Sequence, residues 1–394
     1  MSVIFNSCMK AKFLGTPIAR VESLARTLGV SIHDLRTIAG AASSRYNDFQ
    51  IDKKDGGKRD VSSPRIELKL IQKRINREIF EKVYFPSYLN GGIKGRDYVK
   101  NAYEHGNSET IISLDIENFY PKVSRISILN IFKNFLKQPE EIAEILTNLC
   151  TKDNKLPQGG CASSYLANLV FFDIEPRLVS RLQEEGFTYT RLIDDITIYS
   201  KNLISKKKIS DLIESITKML KSRGFKLKQK KTRCTSASNP EKLMEVTGLW
   251  LNRGAPRVRR NERAEIRKEV RECLISAELN KTDKEYHDLH QKVSGRVAKL
   301  SQLNHCQAER FRKELREILP IYSDADIRKT RRLVAKIIKT PRTTRSSLGY
   351  IKKYHQIVYR INILARSNKS IARSLREKMK ICAPTITKEN SIHG

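Results

Sequence analysis

The sequence contains no run of about 18 consecutive apolar residues, so a membrane-crossing helix is excluded. Its opening stretch, MSVIFNSCMKAKF, lacks the apolar centre of a secretory signal. A soluble, intracellular chain with no membrane partner is expected. The seven cysteines, Cys8, Cys150, Cys161, Cys234, Cys273, Cys306 and Cys382, are odd in number and include no CxxC pair. That excludes a disulfide framework and a zinc knuckle, and leaves ordinary reduced thiols. His287 and His290, with His305 and Cys306 beyond them, lie in a polar helical stretch without metal-ligand spacing and read as surface groups. Acidic residues are scarce: 43 Asp and Glu face 76 Lys and Arg, and past Asp326 only Glu377 and Glu389 remain. The resulting net charge of +33 far exceeds what solubility needs and points to a polyanionic partner, nucleic acid first. There is no internal repeat and no low-complexity linker.

What is present fits a chain of two or three subdomains, since 394 residues can bury a large core. Apolar positions Ile18, Val21, Leu24, Ala25 and Leu28, then Ile32, Leu35 and Ile38, predict two short amphipathic helices. FQIDKKDGGKRDVSSP, with basic residues around Gly56 and Gly57, predicts a hairpin suited to phosphate, or a solvated turn. Residues 65–80, RIELKLIQKRINREIF, repeat apolar side chains at helical spacing. Between Ile111 and Leu251, short strands such as IISLDI and ITIY alternate with helices such as SSYLANLVFFDIEPRLVSRL and DLIESITKMLKSRGF, the last closed by Gly224. This predicts an α+β core. After Pro256 the pattern is helical and basic to the end.

The chemistry is concentrated in carboxylates. In YTRLIDDITIYS, strand-forming residues flank Asp194 and Asp195, which predicts a hairpin with two acids at its tip. A solvated turn would have the same composition. A second strand, IISLDIENFYPKV, ends in Asp115 and is followed by Phe119 and Tyr120. Three carboxylates brought together repel one another unless a cation neutralises them. An oxygen-rich set of this kind suits Mg²⁺, and two such ions are expected for phosphoryl transfer.

Several further segments stand in a fixed order around these acids, and together they resemble the reverse transcriptases. SLDIENFY resembles the first catalytic motif, LPQGGCASSYLANL the Pro-Gln-Gly motif, and RLIDDITIY the double-aspartate motif. GFKLKQKKT and VTGLWLN resemble the lysine motif and the primer-grip hairpin. NAYEH at Asn101–His105 and the triplet Val246, Thr247, Gly248 are similar to marks of the bacterial retron group. VSSPRIELKLIQKRI and HQKVSGRVAKLSQLN, around Gly295, resemble that group's opening motif and thumb, so the match runs from about residue 20 to 315. One departure is Leu192 and Ile193, where the family has Tyr-Ala or a related pair.

The resemblance implies a right-hand polymerase fold: an N-terminal helical segment (1–48), fingers (49–110), palm with residual fingers elements (111–255), helical thumb (256–320) and a basic helical extension (321–394). It implies catalysis and metal binding by Asp115, Asp194 and Asp195. Arg59 and Lys58 would hold the triphosphate, with Lys53 and Lys54 as alternatives. Tyr120 would lie beneath the incoming sugar and exclude a ribose 2′-hydroxyl, unless it is a core tyrosine. Gln158 and Gly159 would form the nucleotide turn, Gly159 by allowing close backbone approach. Lys230 or Lys231 would meet the departing pyrophosphate, and Ser163 would cap a helix or touch the template. Asn101, His105, Val246, Thr247 and Gly248 would contact nucleic acid, although a hydrogen-bonded core pair explains Asn101 and His105 equally well.

The basic C-terminal helices are expected to follow an RNA or RNA–DNA duplex, with Tyr350, Tyr354 and Tyr359 as stacking or core residues. The implied activity is RNA-directed DNA synthesis from dNTPs on a structured non-coding RNA in the bacterial cytoplasm. Priming from an RNA 2′-hydroxyl would give a branched RNA–DNA hybrid, with a role in anti-phage defence beside an effector protein. Protein-primed or template-independent synthesis and a non-catalytic RNA-binding scaffold are the other readings. An intron maturase is disfavoured, because no endonuclease-like Cys or His cluster follows the thumb.

Overall fold

The computed structural model describes residues 9–53, 56–239, 243–251 and 254–387; Cys8, Lys54, Glu389 and the first eight residues of the opening stretch lie outside them. The chain forms two compact units, divided between Pro256 and Arg257.

After a two-residue strand at Lys12–Phe13, the first unit has helices α1 (Val21–Leu28) and α2 (Ile32–Gly40). Gly29, in the left-handed region at φ 61°, ends α1, and Ser31 accepts the Asp34 N–H to start α2. Strands β1 (Tyr46–Asp52) and β2 (Lys58–Pro64) form the expected basic hairpin, with Ile51 opposite Arg59. Helix α3 (Ile66–Glu78) buries Leu68, Ile71 and Ile75, whereas Ile66 is exposed. Its buried Arg74 reaches α1 and donates to the carbonyls of Leu28 and Gly29, otherwise unsatisfied at the helix end.

Next come β3 (Leu89–Asn90), α4 (Tyr98–Glu104), β4 (Thr110–Asp115) and α5 (Glu140–Cys150). The apolar run from Ser163 is not one helix but two, α6 (Ser163–Leu169) and α7 (Glu175–Glu184). Pro176 has no N–H to donate, so it sits in the first turn of α7. Strands β5 (Thr188–Leu192) and β6 (Asp195–Ser200) form the acidic hairpin, followed by α8 (Lys206–Lys221), β7 (Arg233–Ser236), β8 (Glu245–Val246) and β9 (Leu249–Trp250). Gly224 (φ 76°) follows α8 as expected.

Five strands make one sheet in the order β3-β5-β6-β4-β7, parallel only between β3 and β5. β4 is an interior strand flanked by β6 and β7, and Ile111, Ile112 and Leu114 are buried on both of its faces, which accounts for its nearly unbroken apolar run.

The second unit is helical. In α9 (Arg260–Leu279) the buried residues Ile266, Val270, Cys273 and Ala277 recur every three or four positions, the signature of one apolar face. α10 (Lys284–Gln302) and α11 (Ala308–Glu317) complete a three-helix set. His290, expected at the surface, is buried and its Nε2 lies 3.0 Å from the Leu315 carbonyl; His287 is half-buried, 2.9 Å from the Ile321 carbonyl. His290 thus joins α10 to α11 and His287 joins it to the segment that follows, since enclosed imidazoles need a polar partner. Helices α12 (Asp324–Ile338), α13 (Leu348–Leu364) and α14 (Lys369–Ile381) form a second set around Val334, Ile357, Ile361, Leu375 and Met379. Tyr350 belongs to this core and donates to the Cys382 carbonyl, whereas Tyr359 is 61% exposed. Among the described residues no helix is long and apolar enough to cross a membrane, and the six described cysteines form no disulfide with one another.

Candidate active site

The sheet brings the three aspartates together from two segments about 80 residues apart. β4 ends at Asp115, which stands opposite Asp195 on β6. The hairpin turn is only Ile193 and Asp194, and the Ile116 N–H donates to the Asp194 carbonyl at 3.0 Å. Ile193 has φ 61°, a conformation that a β-branched residue adopts only under constraint. The constraint is Arg191, fully buried in β5. Its Nη1 donates to the Ile193 carbonyl at 3.0 Å and its Nη2 to the Asn168 carbonyl at 3.0 Å. The same guanidinium grips Glu175 at 2.6 and 2.8 Å, and the Tyr189 hydroxyl donates to Glu175 at 2.7 Å. Glu175 opens α7, where the helix dipole favours a carboxylate. Below the end of β4, Phe119 packs on Phe171 and Phe225, which anchors the segment bearing Tyr120.

The carboxylates press on one another. Asp195 is pushed up to about 7 by the partial burial of its carboxylate, then by the charges of Asp194 and Asp115. Asp194 is raised by burial and by Asp115. Asp115 is the most enclosed, and Lys231 donates to its Oδ2 at 2.5 Å. Burial lowers the Lys231 ammonium, but Asp115, with Asp195 and Asp194, outweighs it and holds the group above the ordinary lysine range. A short helical turn, Gln229–Lys231, makes this contact, and it leaves Lys230 exposed and without that ion pair. Of the two candidate lysines, Lys231 is therefore the one at the acids.

A pocket of about 450 Å³ opens over the hairpin and is lined by Asp194 and Asp195, with Arg59, Tyr120 and Gln158 on one side. Arg59 is within electrostatic reach of both Asp194 and Tyr120. Burial raises the Tyr120 hydroxyl, and Ser164 shares a hydrogen bond with it. Lys58 and Lys53 stay on the exposed hairpin and do not line the pocket, and Lys54 is outside the described residues. The Gln158 carbonyl accepts the Ser62 N–H at 2.8 Å. Gly159 has φ 114°, and a Cβ there would stand 2.8 Å from Val61 Cγ1 and 2.9 Å from the Ser62 oxygen. Its missing side chain thus admits the β2 strand of the basic hairpin.

Other expected contacts prove to be core. Asn101 and His105 are 1% and 0% exposed, so neither reaches a nucleic acid. Asn101 accepts from Asn90 at 3.2 Å, and His105 Nε2 lies 2.8 Å from Thr190 Oγ1 with its ring edge-on to Tyr199. They are not paired with one another either. Ser163 begins α6 but is buried; its hydroxyl donates to the Pro157 carbonyl at 2.7 Å, too enclosed to touch a template. Val246 is buried, and Thr247 (φ 50°) with Gly248 (φ 84°) forms the two-residue turn between β8 and β9. Thr247 Oγ1 donates to the Tyr98 carbonyl at 3.0 Å.

The sequence reading missed Gly91, Gly92, Arg96, Asp97 and Tyr98, which line the pocket with Leu192. Their signal was the Gly91-Gly92 pair, both at positive φ, ahead of the Asp97 helix cap. The donor set fits a hard dication: three carboxylates meet at one end of two paired strands, and burial together with their mutual charge holds Asp194 and Asp195 above the ordinary carboxylate range. Among the described residues no group of three or more His, Cys, Asp or Glu side chains is already gathered as a metal-ligand set.

The family model for "Reverse transcriptase (RNA-dependent DNA polymerase)" matches residues 51–269. The retron Se72 reverse transcriptase of Salmonella heidelberg (strain 579083-10) is 38% identical over 376 residues, 95% of this chain and 99% of that one. The retron Ec48 reverse transcriptase of Escherichia coli is 32% identical over 92% and 90% of the two chains. Among solved structures, the apo telomerase of Candida Tropicalis is similar at a TM-score of 0.42 and 14% identity over 88% and 67%, too loose to inform the site.

Proposed function

Because the chain belongs to the reverse transcriptases, in their retron group, we propose that it copies part of a structured non-coding RNA into DNA from a 2′-hydroxyl of that RNA, leaving a branched RNA–DNA hybrid. It is an RNA-directed DNA polymerase with the right-hand polymerase fold, it works on an RNA template, and its family is divalent-metal-dependent. We assign fingers to 49–110, palm to 111–255, thumb to 256–320 and a basic extension to 321–394. The ion is Mg²⁺, two per site, and the substrates are dNTPs. A role in anti-phage defence beside an effector protein is proposed on the retron relationship.

The observation that carries the reading of the site is that Asp194, Asp195, Arg59, Tyr120 and Gln158 line one pocket. Asp115, Asp194 and Asp195 are the residues to hold the ions. When bound, the ions supply the charge that acidifies the attacking hydroxyl and stabilises the leaving pyrophosphate. Arg59 offers a planar fork for the triphosphate. The Tyr120 ring, held by Phe119 and by Ser164, occupies the space that a ribose 2′-hydroxyl would need. Lys231, at 2.5 Å from Asp115, is stationed to neutralise or protonate the pyrophosphate.

The test is to purify the protein with its nucleic acid and treat the product with RNase, DNase and a debranching enzyme. DNA freed by debranching is the expected result. Linear DNA would replace 2′-hydroxyl priming with protein-primed or template-independent synthesis. RNA alone, unchanged in Asp194→Asn and Asp195→Asn variants, would leave an RNA-binding scaffold.

A further inference from the structure

The pocket has a second side that no step above uses. The acidic hairpin sits between β3 on one flank and β4 on the other. Tyr120 follows β4, whereas Gly91, Gly92, Arg96, Asp97 and Tyr98 follow β3 and line the same pocket. In phosphoryl transfer the attacking and leaving oxygens lie roughly in line on opposite sides of the phosphorus. With the triphosphate at Arg59, the strand that brings the attacking hydroxyl must approach from the side away from Arg59, which makes the β3 flank the candidate.

Most polar groups on that flank are already engaged. The Arg96 guanidinium donates to the carbonyls of Phe85 at 2.7 Å and Leu89 at 2.9 Å, and to Pro86. Asp97 accepts the N–H groups of Val99 and Lys100, both at 2.9 Å, and so caps α4. Tyr98 differs: it is half-buried, it lines the pocket, and among the described residues neither its ring nor its hydroxyl is engaged. Its backbone is fixed, because its carbonyl accepts from Thr247 at the tip of the β8–β9 turn. Between Tyr98 and the acidic hairpin the pocket wall includes Gly91 and Leu192, which pack closely. Gly91 has no Cβ, and Leu192 Cδ1 lies 2.7 Å from where one would stand.

We propose that Tyr98 is a primer-binding residue whose ring supports the base or sugar of the nucleoside carrying the attacking hydroxyl, with Thr247 as its positioning residue. An aromatic face offers a sequence-tolerant platform for a nucleoside, and Leu192 beside it supplies none. The assignment rests on the polymerase reading above.

The test uses the full-length protein, an RNA template annealed to a DNA primer, and the variants Tyr98→Ala, Tyr98→Phe and Asp194→Asn. Tyr98→Ala is expected to raise KM for primer–template by roughly 5- to 150-fold, the range for loss of one aromatic–base stack, while KM for dNTP and Tm stay near wild type. Tyr98→Phe keeps the ring and should behave as wild type. An unchanged primer KM in Tyr98→Ala, or a rise confined to dNTP, overturns the proposal while the polymerase reading stands. Should Tyr98→Ala fold poorly, a raised primer KM in Tyr98→Phe would equally overturn it, since a stacking role needs only the ring. If wild type makes no DNA that Asp194→Asn abolishes, the polymerase reading falls and takes this assignment with it.

Discussion

Replacing Glu175 by Gln should destabilise the first unit by about 3–5 kcal/mol, the usual result of leaving one partner of a buried ion pair uncompensated. The structure explains why the cost falls in that range. Arg191 and Glu175 are 0% and 1% exposed, so water cannot take over the lost charge. The guanidinium retains acceptors in the Asn168 and Ile193 carbonyls, which stops the loss from being larger. The single tryptophan, Trp250, lies in β9 of this unit, so its fluorescence during urea unfolding reports the unit that holds the site. In the double variant Glu175→Gln with Arg191→Met, the stranded charge is gone, and most of the lost stability should return. Polymerisation should not return with it, because nothing then holds the Ile193 carbonyl in a turn at φ 61°. A loss below about 1 kcal/mol in Glu175→Gln, or no recovery in the double variant, would refute the account of the pair. A double variant with wild-type turnover would refute the claim that Arg191 fixes the hairpin.

Lys231→Ala should lower turnover by roughly 100-fold, the scale of one well-placed acid or charge, while Lys230→Ala stays near wild type in the same primer-extension assay. Gly159→Ala forces a Cβ to 2.9 Å from the Ser62 oxygen at φ 114° and should cost about 2 kcal/mol or more by Trp250 fluorescence, with a raised KM for dNTP as the Arg59 hairpin shifts. His105, which burial pushes down to about 3, is neutral when folded but protonates near its ordinary value of 6.5 when unfolded. Its contribution is therefore complete above about pH 6.5 and is lost as pH falls toward 3, a drop on the order of 2 kcal/mol by pH 5. The pH dependence of Tm between 7 and 5 should flatten in His105→Gln; an unaltered slope would mean that His105 is not buried neutral.

The parts of the fold that were legible in the sequence are those whose signal is local. α1, α3, β4 and the acidic hairpin each carry their own hydrophobic period, and the Thr247-Gly248 pair is a turn whatever surrounds it. β3 has two residues and no pattern to read, yet its parallel pairing with β5 places Gly91, Gly92 and Tyr98 at the pocket. The break between α6 and α7 also escaped notice, because the apolar spacing continues across it and Pro176 is tolerated in a first helical turn.

The same distinction decides which site residues could be placed. Asp115, Asp194 and Asp195 stand at strand ends, where chain direction alone fixes where they meet, so their convergence followed from the strands. For Asn101 and His105 the deciding contacts are with Asn90 and Thr190, and the latter is 85 residues away from His105. A polar residue in the core and one at an interface carry the same sequence signal, and only the partner tells them apart. Lys230 and Lys231 differ by one step of a short helical turn, a rotation of about 120° that no composition encodes. The chemistry was legible because it depends on residue type, whereas placement depended on tertiary partners. Tyr98 is the converse: that this half-buried aromatic lines the pocket is visible only in the folded chain.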